Sequence, residues 1–188
     1  MLSIKLIGNS KQEVGYYSDL GEDYYVAGGE PTGIWWGEGA KQLGLTGTVQ
    51  ASAFRSILEG KSADGQKALV QNAGKASRRA AFDLTFSVPK SVSIARATAD
   101  DKLASQIDQA CDAASKKAFE AVQELCGIAR RGKAGKLNEP AQLVAAVFRH
   151  ETARGLKDNV PDPNLHYHMV LCNVAVREDG TTGTFDAR

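Results

Sequence analysis

The sequence predicts an α+β domain in which a central antiparallel sheet of about five strands is flanked by helices. Apolar and polar residues alternate over residues 81–87, which is the period of a strand with one buried face. Residues 101 to about 130 are rich in Ala, Lys, Glu and Gln, with apolar residues at helical spacing, and predict the longest helix. Residues 142–151 and 165–176 predict two apolar strands, and the 13 residues between them allow antiparallel pairing.

Shorter elements are predicted in the rest of the chain. Residues 2–7 predict a strand that opens the sequence. The stretch 28–74 is rich in glycine and predicts loops that carry two small helices, around residues 37–43 and 51–58. These short elements would join the long helix and the apolar strands into one fold.

The composition is that of an ordinary globular domain. Lys and Arg together number 23 against 22 Asp and Glu, so charge alone neither proposes nor excludes a nucleic-acid partner. No internal repeat or low-complexity segment divides the chain, and we expect one domain over residues 1–188. Because the sequence stops soon after the turn signal Glu178-Asp179-Gly180, we expect this domain to be truncated at its C-terminal end.

Cysteine usage and the chain start indicate the cellular compartment. The three cysteines, Cys111, Cys126 and Cys172, form no C-x-x-C pair, which is typical of reduced core thiols in a cytosolic protein. The sequence opens without a signal-peptide pattern, and no apolar run approaches the roughly 18 residues of a membrane span. We therefore expect a cytoplasmic protein without a membrane segment.

All three histidines of the chain lie in or beside the two apolar strands. On a strand, His166 and His168 project from one face while Tyr167 projects from the other. Antiparallel pairing would bring His150 beside them, and three imidazoles that leave metal positions open are typical of a catalytic site. The alternative is three unrelated histidines on a partly exposed sheet, because a lone H-x-H is weak evidence.

Two tyrosine pairs stand near the N-terminus. Tyr16-Tyr17 and Tyr24-Tyr25 are eight residues apart, close to two helical turns, so one tyrosine of each pair shares a helix face unless Gly21 ends the helix between them. By themselves such pairs are also compatible with ordinary helix surface and core packing. Their interpretation depends on the other motifs of the chain.

Several short motifs occur together and in a fixed order from residue 1 to about 186. They are the opening MLS, the two tyrosine pairs, WWG at 35–37, GA at 39–40, LGL at 43–45, DLTFSVPKSVS at 83–93, FRHET at 148–152 and PDPNLHYH at 161–168. In these motifs the chain resembles the MobF-type conjugative relaxases, which belong to the HUH endonucleases. The resemblance implies the palm-like antiparallel sheet of that superfamily and a catalytic domain that carries the N-terminal part of a relaxase.

The resemblance also implies a reaction and its main residues. Relaxases of this family nick single-stranded DNA at a plasmid origin of transfer through a 5′-phosphotyrosine intermediate. Carried over, His150, His166 and His168 would hold a divalent ion. The first tyrosine of each pair would attack DNA, Tyr16 for the initial nick and Tyr24 for a second strand transfer. Tyr17 and Tyr25 would substitute for them.

Further roles follow from the same resemblance. Asp83 would orient a metal-binding histidine or help to deprotonate the nucleophile. Imidazole ligands favour Zn, Ni, Cu or Fe, whereas phosphoryl chemistry commonly uses Mg or Mn, so we expect Mg or Mn with tolerance of Zn and Ni. The candidate DNA contacts are Arg78, Arg79, Lys90, Arg149 and Arg154.

The expected partners are single-stranded DNA at the origin of transfer, other conjugation proteins of a bacterial host, and a helicase domain in the full polypeptide. We expect a monomer. Full domains of this family continue beyond the second histidine strand with elements that clamp DNA, and this chain has no G-x-x-x-x-G-K-[ST] phosphate loop of a helicase. We expect the missing clamp to affect DNA affinity more than it affects the catalytic residues.

Three other functions compete with this interpretation. Rolling-circle replication initiators and single-strand transposases share the H-x-H and tyrosine chemistry, but they commonly carry their tyrosine downstream of the histidines. A module that holds single-stranded DNA without cutting it would use Trp35, Trp36 and the tyrosines as stacking platforms. A three-histidine metallohydrolase or oxygenase acting on small molecules would form no covalent DNA adduct.

Overall fold

A computed structural model describes residues 1–8, 32–132, 135–153 and 161–185 of the chain. Within these ranges the strands are β1 (Leu2–Gly8), β2 (Ile34–Trp36), β3 (Arg79–Ser87), β4 (Ile128–Arg131), β5 (Leu137–Thr152), β6 (Pro163–Arg177) and β7 (Thr182–Gly183). The helices are α1 (Glu38–Gln42), α2 (Ala51–Leu58), α3 (Lys90–Thr98) and α4 (Asp101–Cys126). The segment with both tyrosine pairs lies outside the described residues.

The strands form one antiparallel sheet. Its continuous path is β1-β3-β6-β5-β2, and the two short strands β4 and β7 pair with β5 and β6 respectively. Every strand pair is antiparallel. The predicted α+β class, with about five strands in the central sheet and helices flanking it, is therefore confirmed.

The long strands β5 and β6 form the centre of the sheet and pair with each other as predicted. Residues 143–148 and 169–176 are buried throughout, so both faces of this pair are covered. Strands buried on both faces read as continuous apolar runs, which is why these two segments lack a clear alternation. The register places His150 opposite His166 and Phe148 opposite His168.

Helices cover the two faces of the sheet, which we call the α2 face and the α4 face. On the α2 face, Phe54, Ile57 and Leu58 have the i, i+3, i+4 spacing of an amphipathic helix and pack on one core cluster with Phe148. On the α4 face, Phe119 belongs to a second cluster with Leu143, Tyr167 and others. Even-numbered residues of β5 and β6 near the histidines point to the α2 face, and odd-numbered residues point to the α4 face.

The long helix is shorter than predicted. It ends at Cys126, and residues 128–131, predicted as its last turn, form β4. Gly127 turns the chain tightly here, since a Cβ at this position would lie 2.2 Å from the side-chain nitrogen of Gln123. Pairing of β4 with residues 137–140 satisfies its backbone groups and also starts β5 earlier than predicted.

Helix α3 was not predicted. Pro89 stands at the N-cap, where a missing N–H costs nothing, and the helix begins at the next residue. In the described part of the chain, no helix is long and apolar enough to cross a membrane.

We predict that Phe54→Ala lowers the free energy of unfolding by about 3–5 kcal/mol, because it leaves a cavity in the core on the α2 face. The Phe54 ring has edge-to-face contacts with Trp35 and Phe148 at centroid distances of 6.2 and 5.5 Å. Urea denaturation followed by circular dichroism measures the loss. Leu103→Ala, on an α4 side chain that is 48% exposed, is the control and should change stability by less than about 0.5 kcal/mol. Equal losses would contradict the assigned core.

Candidate metal centre

Three histidine side chains meet on the α2 face at one end of the central strand pair. His150 is on β5, while His166 and His168 are on β6. The ring centroids are 5.2 Å apart for His150 and His166, 5.3 Å for His150 and His168, and 5.1 Å for His166 and His168. His150 and His166 are buried and His168 is partly exposed, so the cluster opens to the surface on one side. The structure thus brings together the three predicted ligands.

The spacing of the three rings fits a single ion. An imidazole nitrogen lies about 2.1 Å from Zn²⁺ and about 1.1 Å from its own ring centre, so three imidazoles around one ion at near-tetrahedral angles have centres about 5 Å apart. The observed separations match this value. Among the described residues no group of three His, Cys, Asp or Glu side chains is already arranged to hold an ion. Coordination would therefore require the rings to turn about their side-chain torsions.

Hydrogen bonds on the Nδ1 side leave the Nε2 atoms of two histidines available as ligands. His166 Nδ1 lies 2.7 Å from the Asn164 carbonyl oxygen, which accepts and cannot donate. His168 Nδ1 lies 2.8 and 3.0 Å from the two carboxylate oxygens of Asp83. In both rings Nδ1 carries the proton, so the lone pair is on Nε2. Such contacts fix the tautomer and orientation of metal-binding histidines.

His150 is held in the neutral form by its surroundings. Burial is the main cause that lowers the pKa of His150 to about 3, and the nearby imidazoles of His168 and His166 act in the same direction. Asp83 opposes the shift but does not outweigh it. A neutral imidazole keeps the lone pair that a metal needs, so His150 remains a competent ligand even in mildly acidic solution.

Asp83 lies on β3 beside the histidines. Its side chain points to the α2 face and away from Phe82 and Phe86, as the alternation predicts, and it is 4% exposed. Asp83 is therefore not a solvent-exposed strand carboxylate. Thr85, two residues further along the same face, has its hydroxyl 3.3 Å from His168 Nδ1. Thr85 was not predicted as a site residue, although the same alternation places it there.

The predicted DNA contact at Arg78 does not fit the structure. The Arg78 side chain is almost fully buried, and its guanidinium donates to the carbonyl oxygens of Leu58 and Asn173 and to the side chain of Asn72. Burial lowers the pKa of Arg78 to about 10. Arg78 therefore ties the end of α2 and the turn at Asn72 to β6 instead of facing a ligand.

The other predicted DNA contacts have different surroundings. Arg79 is exposed and lines a groove with Arg130 at the end of the sheet remote from the histidines. Lys90 is half-exposed and donates to the Pro163 carbonyl oxygen. Arg149 points to the α4 face, away from the histidines, and pairs with acidic side chains, so its guanidinium is unsuited to a DNA phosphate. Arg154 lies outside the described residues.

The predicted nucleophiles Tyr16, Tyr17, Tyr24 and Tyr25 also lie outside the described residues. Tyr167, between the two histidines, points to the α4 face and donates a hydrogen bond of 2.6 Å to Asp112 on α4. Burial is the main cause that raises the pKa of Tyr167 well above its usual value. Tyr167 is consequently a structural tyrosine that attaches β6 to the long helix.

Comparisons with known proteins agree on one family. The model of the family described as TrwC relaxase matches residues 10–188. Two forms of the multifunctional conjugation protein TraI, from Escherichia coli and from its strain K12, are 37% and 36% identical over 179 residues. Those residues are 93% of this chain but only 9% of TraI.

Solved structures of the conjugative relaxase TrwC in complex with oriT DNA have the same fold. A metal-bound structure superposes with a TM-score of 0.79 at 32% identity and covers 99% of this chain. A complex with a 27-mer that comprises the recognition hairpin and the cleavage site gives a TM-score of 0.76 at the same identity. This chain spans 61% and 60% of those two TrwC chains. The resemblance to conjugative relaxases is confirmed, and the chain belongs to the TrwC relaxase family.

Proposed function

We propose that this chain carries the catalytic portion of a conjugative relaxase, which nicks and transfers one DNA strand at a plasmid origin of transfer. The observation that carries the proposal is the cluster of His150, His166 and His168 with ring centres 5.1–5.3 Å apart, supported behind His168 by Asp83. The crystallised relative TrwC binds oriT DNA and metal, which supports the same partners here.

The three histidines would hold a divalent ion through neutral imidazoles. When bound, such an ion supplies Lewis-acid polarisation of a phosphate oxygen. Because neutral ligands add no negative charge, this polarising effect is not weakened as it would be in a site built from carboxylates. We propose Mg²⁺ or Mn²⁺ as the ion in use, with Zn²⁺ and Ni²⁺ as tolerated substitutes. A relative solved with copper bound supports a tolerant site.

The proposed nucleophile is Tyr16. Its oxygen would attack the scissile phosphorus, the bond from phosphorus to O3′ would break, and the departing oxygen would become a 3′ hydroxyl after taking up the proton that the tyrosine loses. A free tyrosine has a pKa of about 10, so the site must favour the phenolate. Phenolate is also a good leaving group, and a DNA hydroxyl can reverse the step without ATP.

The second tyrosine pair would serve the second strand transfer. Tyr24 is the proposed nucleophile of that step, and Tyr17 and Tyr25 are proposed substitutes within each pair. Asp83 acts through His168: its carboxylate accepts the Nδ1–H and leaves Nε2 as the nitrogen that would bind the ion. Asp83 is thus a positioning residue in this scheme, whereas the tyrosines are the groups that react with DNA.

The remaining partners are also proposals. Because the chain spans only 9% of TraI, we propose that a helicase domain and contacts with other conjugation proteins belong to the rest of the polypeptide. We propose that the domain acts in the bacterial cytoplasm as a monomer. A module that binds single-stranded DNA without cutting it is the second candidate, and the first experiment below separates the two.

We predict a metal-dependent covalent adduct between the protein and single-stranded oligonucleotides that carry a matching origin of transfer. Labelled oligonucleotides from candidate origins are incubated with Mn²⁺ or with EDTA, and adducts are separated on a denaturing gel. Tyr16→Phe and His168→Ala should each reduce the adduct by about 100-fold or more, because they remove the nucleophile and a ligand of the ion.

Asp101→Asn, on an exposed residue in the first turn of α4, is the control variant, and it should keep full activity. Full adduct formation after all four N-terminal tyrosines are changed to Phe would overturn the proposed nucleophiles. Binding of the oligonucleotides without any adduct, in a longer chain as well, would favour the non-cutting module.

We predict that Asp83→Asn weakens Mn²⁺ binding by about 10–100-fold, since the amide cannot hold the Nδ1–H of His168 as a carboxylate does. Isothermal titration of the metal-free protein measures the dissociation constant. Asp101→Asn, on an exposed residue in the first turn of α4, should leave the constant unchanged. Equal affinity of Asp83→Asn and the wild type would remove Asp83 from the support of the ligand.

We predict that the metal-free protein loses stability as the pH falls below about 6.5. The unfolded chain protonates His150 near pH 6.5, whereas folding lowers the pKa of His150 to about 3, so acid favours the unfolded state between these values. Each pH unit should cost at most about 1.4 kcal/mol from this residue. Urea denaturation at several pH values in EDTA should show a shallower slope for His150→Gln than for the wild type. Identical slopes would mean that His150 is not held neutral.

A further inference from the structure

A cluster of four charged side chains lies behind the histidines, on the α4 face. We call it the charge cluster: Arg96 of α3, Asp108 of α4, and Arg149 and Glu151 of β5. Arg96 forms two hydrogen bonds to Asp108, of 2.8 and 3.1 Å, and two short ones to Glu151. Arg149 lies 2.5 Å from Asp108 and 3.0 Å from Glu151. Both arginines therefore share both carboxylates.

The charge cluster is partly buried and electrically neutral. Its side chains are between 17% and 31% exposed. The hydrogen bond with Asp108 is the main cause that raises the pKa of Arg96. Burial raises the pKa of Asp108, but the hydrogen bonds from Arg96 and Arg149 outweigh burial and lower it. The formal charges of the cluster, two positive and two negative, balance each other.

The charge cluster contacts β5 at an irregularity in its pairing with β6. Arg149 and Glu151 are the two neighbours of His150 in the chain, and both point away from it to the opposite face. The pairing of β5 with β6 is irregular between His150 and Thr152. Pairing resumes beyond this point, because Thr152 pairs with Pro163. The contacts of the charge cluster therefore add to the backbone hydrogen bonds at the irregular position. The contacts of the Arg96 guanidinium with Glu151 and Asp108 attach this end of β5 to α3 and α4 on the α4 face.

The strand that carries the other two histidines is attached to the same helices. The backbone N–H of Leu165 donates to the Ser93 hydroxyl of α3 at 2.9 Å, and the Tyr167 hydroxyl donates to Asp112 of α4 at 2.6 Å. Leu165 and Tyr167 are the two chain neighbours of His166. His150 and His166, which face each other across the strand pair, are therefore each flanked in the chain by two residues that contact α3 or α4.

We propose that the charge cluster is a positioning device for the histidine cluster, with Arg96 as its central residue, so that α3 and α4 set the separation of His150 from the histidines of β6. This inference rests on the proposed function for its metal, although its geometry stands without one. A partly buried ion cluster is a poor source of net stability, because desolvation offsets the attraction between the charges. The bidentate fork of arginine does, however, fix direction and distance.

The experiment compares variants by two quantities, the Mn²⁺ dissociation constant and the thermal midpoint of the metal-free protein. Arg96→Met removes the fork and should raise the dissociation constant by about 10-fold, the lower end of the effect of removing support behind a metal ligand. Arg96→Lys keeps the charge without the fork and should give an intermediate constant. Titration calorimetry with MnCl₂ is done at a temperature at which circular dichroism shows every variant folded.

Arg177→Met is the matched control. Arg177 is also a buried arginine, which donates to backbone carbonyls of Arg130 and Thr182 and lies 3.6 Å from Glu139. It is on β6, 11 residues beyond His166, or roughly 36 Å along an extended strand. Arg177→Met should lower the thermal midpoint and leave the Mn²⁺ constant at the wild-type value. If Arg96→Met does not fold, Glu151→Gln, which preserves volume, takes its place with the same expected rise.

Two results would overturn the inference. One is a folded Arg96→Met or Glu151→Gln that binds Mn²⁺ as the wild type does. The other is an Arg177→Met that loses affinity as much as they do, because the effect would then be general loosening. Failure of the wild type to bind Mn²⁺ would instead contradict the proposed metal centre.

A measurement without metal tests the positioning separately. Ring ¹⁵N and ¹H resonances of His150 in the metal-free protein should be single and sharp in the wild type and in Arg177→Met. In Arg96→Met they should broaden or double, because the imidazole samples several positions. Unchanged His150 resonances in Arg96→Met would overturn the inference whatever the wild type does with Mn²⁺.

Discussion

The proposed metal centre depends on the antiparallel pairing of β5 with β6. That pairing sets His150 directly opposite His166, and the strand alternation then brings His168 to the same face. A shift of one residue would move every imidazole of one strand to the other face. Burial of residues 143–148 and 169–176 on both sides makes such a shift costly, since apolar side chains would no longer match the two cores. The hydrophobic centre of the sheet thus fixes the position of its polar end.

The two faces of the sheet have separate tasks at this end. The α2 face presents the imidazoles with Asp83 and Thr85, which are groups that bind or orient. The α4 face carries contacts that attach the strands to α3 and α4, among them the hydrogen bond from Tyr167 to Asp112. Because successive residues alternate between the faces, one short motif supplies both, and PNLHYH contributes two ligands and one anchor.

Strand alternation and apolar runs in the sequence were enough to predict part of the fold and of the candidate site. Strand alternation correctly placed His166 and His168 on one face of β6 and correctly turned Asp83 away from the aromatic side of β3, and apolar runs identified β5 and β6. Features that depend on distant residues were missed. Arg78 is buried because carbonyl oxygens 20 and 95 residues away accept its hydrogen bonds. Residues 128–131 have helix-like composition, but pairing with β5 makes them a strand, as tertiary contacts often override propensity.

The order of strands in the sheet has a consequence for how the protein acquires its site. Asp83 and His168, which are in contact, are 85 residues apart in the chain, and β1 pairs with β3 across a similar separation. Loops of this length must close before such contacts contribute, so folding dominated by them is slow. During synthesis β6 emerges from the ribosome after the other long strands, β1, β3 and β5. The histidines therefore converge in one late step, and a nascent chain shorter than about 170 residues has no ligand set for an ion to occupy.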